Sequence, residues 1–149
     1  MIYEFCAENV TLLEKAMQAG ARRIELCDNL AVGGTTPSYG VTKAAVELAA
    51  NYDTTIMTMI RPRGGDFVYN ELEIAIMLED IRLTAQAGSQ GVVFGALTAD
   101  KKLDKANLEK LIAASKGMEI VYHMAFDELS DEDQLEAIDW LSQAGVTRI

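Results

Sequence analysis

Met57-Thr58-Met59-Ile60-Arg61-Pro62-Arg63-Gly64-Gly65-Asp66-Phe67 is the stretch whose reading decides the fold. With Thr54, Thr55 and Ile56 before it, the apolar, β-branched run predicts a buried strand. It breaks off in two arginines, a proline, two glycines and an aspartate, and a helical pattern follows. A strand whose carboxyl end carries charge and glycine is how α/β proteins build binding sites. Pro62 keeps Arg61 extended, so the arginine continues the alternation of the strand.

Outward from that stretch, the same alternation of strand and helix recurs. Strands are predicted at Ile2–Ala7, Arg23–Cys27, Gly91–Gly95, Glu119–Phe126 and Val146–Ile149. Helical spacing lies between them. Val10, Leu13, Ala16 and Met17 form one face, with Asn9 the expected cap, and Val41, Ala44, Ala45, Leu48 and Ala49 form another. Ile74, Met77, Leu78, Ile81 and Ala85 make the buried side of a long helix opened by an Asn70/Glu73 capping box. Asp104 opens a helix with Leu108, Leu111 and Ile112 inward, and Ser130 one presenting Leu135, Ile138 and Leu141. Gln-Ala-Gly closes three of these helices, at Gly20, Gly88 and Gly145. Strict alternation with an internal echo predicts parallel βαβ units of the (β/α)8 TIM-barrel type. Residues 1–149 form one such domain in this reading. About six strands and five helices do not close an eight-fold barrel, so the expectation is the front part of a longer chain that lacks its C-terminal units.

Composition narrows the partners. The 149 residues carry 23 acidic against 13 basic side chains, a formal charge of -10. Such a surface repels phosphate backbones, which argues against nucleic acid. No apolar run is long enough to span a bilayer, and the amino terminus lacks a signal-peptide layout. Two cysteines, Cys6 and Cys27, imply no disulfide framework, and a cytoplasmic protein with reduced thiols is expected.

The polar residues inside the apolar strands share a parity. Glu4 with Cys6, Glu25 with Cys27, Met57 and Met59 with Arg61, and His123 with Asp127 each alternate, which predicts one inward-facing set at the barrel mouth. Three kinds of site follow. Cys6 and Cys27 on neighbouring strands suit a two-thiolate site for the soft ion Cu(I), with Met57 or Met59 as thioether neighbours, although buried cysteines and methionines also serve as plain core packing. Glu25, Arg61, His123 and Asp127 suit acid/base chemistry on a small anionic, sugar- or carboxylate-like substrate, although a Glu4/Glu25/Arg61 ion cluster would fit the same pattern. Arg61, Arg63, Gly64 and Gly65, with the Gly33–Gly40 loop, suit simple anion binding, but match no phosphate fingerprint.

Ile24-Glu25-Leu26-Cys27, Gly33-Gly34 with Thr36-Pro37-Ser38 and Gly40, Met59 to Phe67, Glu79-Asp80-Ile81 and Gly91 to Gly95 together resemble the copper homeostasis protein CutC family. The resemblance runs the length of the chain. It implies a cytoplasmic, self-associating (β/α) barrel linked to copper handling, with Cys6 and Cys27 at the places of the family's proposed copper ligands. One departure is plain: the family's His-Arg-Ala-Phe-Asp stands here as His123-Met124-Ala125-Phe126-Asp127.

Overall fold

The computed structural model describes residues 1–149. Five parallel strands, β1 (Glu4–Glu8), β2 (Arg23–Cys27), β3 (Thr55–Met59), β4 (Gly91–Phe94) and β5 (Glu119–Tyr122), lie in sequence order across one sheet. Helices α1 (Leu13–Gln18), α2 (Tyr39–Ala49), α3 (Glu71–Ala87) and α4 (Lys105–Ala114) connect them, and α5 (Asp131–Gln143) follows β5. A parallel sheet that never reverses its order has no switch point, so its helices collect on one side. Consecutive helices accordingly pack side by side, α1 on α2, α2 on α3 and α3 on α4. This is the singly wound arc from which α/β barrels are built.

The two sheet faces bury different residues. Ile24, Leu26 and Ile56 meet Leu13, Met17, Ala45 and Ala49 of the first two helices. Val92, Phe94, Ile120 and Tyr122 meet Ile74, Met77 and Ile81 of α3, Leu108 and Leu111 of α4, and Leu141 of α5. The opposite parity forms a small cluster of its own: Cys27, Met57, Met59, Val93 and Val121. That cluster is the concave, inner face predicted from the strand alternation.

Several boundaries differ from the sequence reading. The fifth strand ends at Tyr122 rather than Phe126, because residues Met124–Glu128 wind into a 3-10 turn. His123 caps that turn, its Nδ1 accepting from the Ala125 N–H. His123 and Asp127 therefore do not alternate along a strand. The expected sixth strand amounts to a bridge between Val121 and Arg148, with the Thr147 N–H donating to Ile120 at 2.8 Å. Asn9 does not cap α1; it is left-handed, with φ 57°, and the helix begins only after Leu12. On α5 the buried stripe is Ala137 and Leu141, one helical turn apart. Leu135 and Ile138 point outward, 70% and 45% exposed, because Leu135 lies two residues, over half a turn, from that stripe. The Asn70/Glu73 capping box forms as expected.

Candidate metal centre

Cys6 lies opposite Glu25 in the β1–β2 register, and Cys27 follows Glu25 by two residues. A period of two sends all three side chains to one face of the sheet. Their donor atoms converge: the sulfurs of Cys6 and Cys27 are 4.0 Å apart, and Glu25 Oε1 lies 3.5 Å from Cys6 Sγ and 3.8 Å from Cys27 Sγ. This is the one group of three metal-capable side chains within bonding reach of a common point. Cys6 is exposed and Cys27 is buried, so the site has an open side and a closed side.

Proton affinities in the group are uneven. The hydrogen bond from Cys27 holds the Cys6 thiol below its ordinary value, and the same bond, with burial and the Glu25 charge, pushes the Cys27 thiol up. Burial also raises the Glu25 carboxyl. Of the two sulfurs, Cys6 is the one that faces solvent.

The roof over Cys27 depends on Gly34. Its φ of +89° favours glycine, and a Cβ there would lie 3.0 Å from Cys27 Sγ and 3.6 Å from the Met59 methyl. Met57 turns the other way along the sheet, over Gly91 of β4, where an added Cβ would collide with its thioether.

Arg61 stands apart from this group. Its buried guanidinium donates to three backbone carbonyls, Val32 at 2.7 Å, Gly34 at 3.0 Å and Gly65 at 2.8 Å. Its own backbone is zipped to Thr36, which accepts from the Arg61 N–H at 2.9 Å and donates to the Arg61 carbonyl. Arg63 donates to Glu73, to Asp66 at 3.0 Å and to the Val68 carbonyl at 2.8 Å. Gly64 packs against Val32, and Gly65 supplies one of the clasped carbonyls. Both arginine heads thus tie loops together, the loop after β2 to that after β3, and the latter to α3.

His123 is buried against Phe67, ring centroids 5.0 Å apart, and Arg61 covers the same phenyl ring at 4.8 Å. Burial, with the Arg61 charge, drives its pKa down to about 3, so the imidazole is neutral. Since Nδ1 accepts from Ala125, the proton is assigned to Nε2, a buried donor without a protein partner. A cavity of about 610 Å³ gathers Glu4, Glu25, His123, Met124, Asp127 and Arg148. Three of the four acid/base candidates, Glu25, His123 and Asp127, line it, and Arg61 does not. The Glu4/Glu25/Arg61 ion cluster does not form; Glu4 pairs instead with Arg23 at 3.4 Å. Glu25 as the third corner of the thiol pair was within reach of the sequence, since it shares their parity. The clasp around Arg61 was not, because its acceptors are backbone atoms of distant loops.

A singly wound parallel α/β arc with a thiol pair on its inner face defines the class as a barrel-type protein with a candidate soft-metal site. The CutC family model matches residues 1–149. A CutC family protein of Enterococcus faecalis is 54% identical over 149 residues, all of this chain and 71% of that protein. One from Streptococcus pyogenes serotype M6 is 51% identical over the same span. A crystal structure from Streptococcus agalactiae, named as a candidate copper homeostasis protein CutC, superimposes with a TM-score of 0.96 at 48% identity, covering the whole of this chain and 71% of that one. A candidate phosphonomutase from Burkholderia cenocepacia, 19% identical with a TM-score of 0.73, shares the fold, covering all of this chain and 61% of its own. The chain belongs to the CutC family.

Proposed function

We propose that this chain binds Cu(I) through Cys6 and Cys27 as part of copper homeostasis. The observation that carries the reading is the 4.0 Å separation of the two sulfurs. With metal–sulfur bonds of about 2.3 Å, half that separation over the bond length gives an S–M–S angle of roughly 120°. That is a trigonal angle, with room for a third donor. Two thiolates select a soft monovalent ion over hard cations. Glu25 Oε1 lies within hydrogen-bond reach of both sulfurs, 3.5 Å and 3.8 Å away, and is placed to take up a proton as the metal enters. The Streptococcus agalactiae relative, 48% identical and named as a candidate copper homeostasis protein, points the same way. The thiols must be reduced to act, which suits the cytoplasm, and we extend the proposal to a self-associating domain of (β/α)-barrel type.

The test is competition for Cu(I) against a chromophoric chelator, with wild type and the Cys6→Ser/Cys27→Ser variant. One-to-one binding lost in the variant supports the reading; equal uptake by both contradicts it.

A second reading is supported by the gathering of Glu25, His123 and Asp127 on one cavity of about 610 Å³. In it the chain is an enzyme acting on a small substrate, with Glu25 and Asp127 as acid/base candidates and His123 as a neutral donor. Arg148 is the cation that faces the cavity and would meet an anionic group. Ligand-induced thermal shifts with small carboxylates and sugars, abolished by Glu25→Gln, are the corresponding test.

A further inference from the structure

Cys6 and Cys27 differ in access as well as in position. One sulfur is exposed and the other buried, yet they are 4.0 Å apart on adjacent strands. A disulfide has an S–S length of about 2.05 Å, so closure needs about 2 Å of approach. The residues are diagonal neighbours, Cys6 facing Glu25 and Cys27 facing Glu8, so the approach must come from side-chain rotation with some shift of β1. No other cysteine is present to compete. An exposed sulfur beside a buried one is the arrangement of an attacking and a resolving thiol.

We propose that Cys6 and Cys27 form a thiol–disulfide exchange centre whose co-substrate is a low-molecular-weight disulfide such as glutathione disulfide. The exposed Cys6 sulfur, as thiolate, attacks one sulfur of the disulfide RSSR. A Cys6–SR bond forms, the S–S bond of RSSR breaks, and RS⁻ leaves to be protonated. Cys27 then gives up its proton, for which Glu25 is the adjacent acceptor, and attacks the Cys6 sulfur. The Cys6–Cys27 bond forms and the second RS⁻ departs. In sum, two protein thiols are oxidised and one RSSR is reduced to two RSH. Closure also removes both soft donors at once, so oxidation discharges Cu(I); this consequence alone rests on the copper reading.

The experiment treats the reduced chain with glutathione disulfide, quenches with acid, alkylates, and reads the intact mass. Wild type is expected to lose two hydrogens and to resist alkylation while remaining a single chain. Cys27→Ser is expected to stop at a glutathione adduct on Cys6, and Cys6→Ser to stay unmodified because Cys27 is buried. A persistent glutathione adduct on wild type, disulfide-linked dimers, or no reaction would overturn the proposal. Cu(I) uptake is then measured before and after oxidation. If the reduced chain takes up no Cu(I), the copper reading falls while the mass result still decides the exchange centre. If the closed form retains Cu(I) as well as the reduced form does, the discharge is wrong.

Discussion

The imidazole of His123 lies across the α-carbon of Gly95: a methyl group there would sit 2.7 Å from both its Nδ1 and its Cε1. Ala125 closes the third side at 3.0 Å. Gly95 follows the last residue of β4, so this contact sets how closely the turn after β5 approaches its neighbour. Gly95→Ala is expected to destabilise the fold by about 1–3 kcal/mol through overpacking, read as a lower urea midpoint. At Gly117 no atom lies within 4 Å of an added Cβ. Any cost of alanine there would come from its positive φ and not from His123.

Burial of His123 also carries a pH dependence. Its pKa falls from 6.5 to about 3 on folding, so the unfolded chain binds the extra proton between those values. The stability it contributes is present above the unfolded pKa and is lost as pH falls toward the folded one. From about pH 7 to pH 5 the loss is on the order of 2 kcal/mol. His123→Asn keeps an acceptor for the Ala125 N–H but does not titrate. Denaturation midpoints measured at both pH values should fall less in this variant than in wild type. Equal declines would show that the imidazole is not buried in the neutral form.

Arg61 holds three carbonyls from two loops, and no ammonium group can match that planar fork. Arg61→Lys should cost roughly 2–4 kcal/mol by leaving buried carbonyls unsatisfied. It should also speed proteolysis within residues 28–38, the loop the guanidinium ties down. A variant as stable and as protease-resistant as wild type would contradict the clasp.

How much of this was legible in the sequence follows from the range of the forces involved. The order of strands and helices is written in local periodicity, and the Asn70/Glu73 and Ser130/Asp133 caps are contacts three residues apart. The inward parity of Cys6, Glu25, Cys27, Met57 and Met59 follows from the pleat. What failed was the step beyond the strand ends. His123 and Asp127 were carried along a β5 that stops at Tyr122, because a histidine cap that turns the chain looks like one more alternating residue. Arg61 looked like a ligand grip, since a sequence does not reveal that its acceptors are the carbonyls of Val32, Gly34 and Gly65. Leu135 and Ile138 are apolar and so read as part of the buried face of α5, but the phase of that helix is set by the smaller stripe of Ala137 and Leu141.

The most direct test of the copper site is X-ray absorption at the copper edge on the Cu(I)-loaded chain. Two thiolates 4.0 Å apart predict two sulfur scatterers per copper at about 2.2–2.3 Å, lost in the Cys6→Ser/Cys27→Ser variant. A first shell of nitrogen or oxygen alone, or a sulfur shell that survives loss of both cysteines, would contradict the assignment.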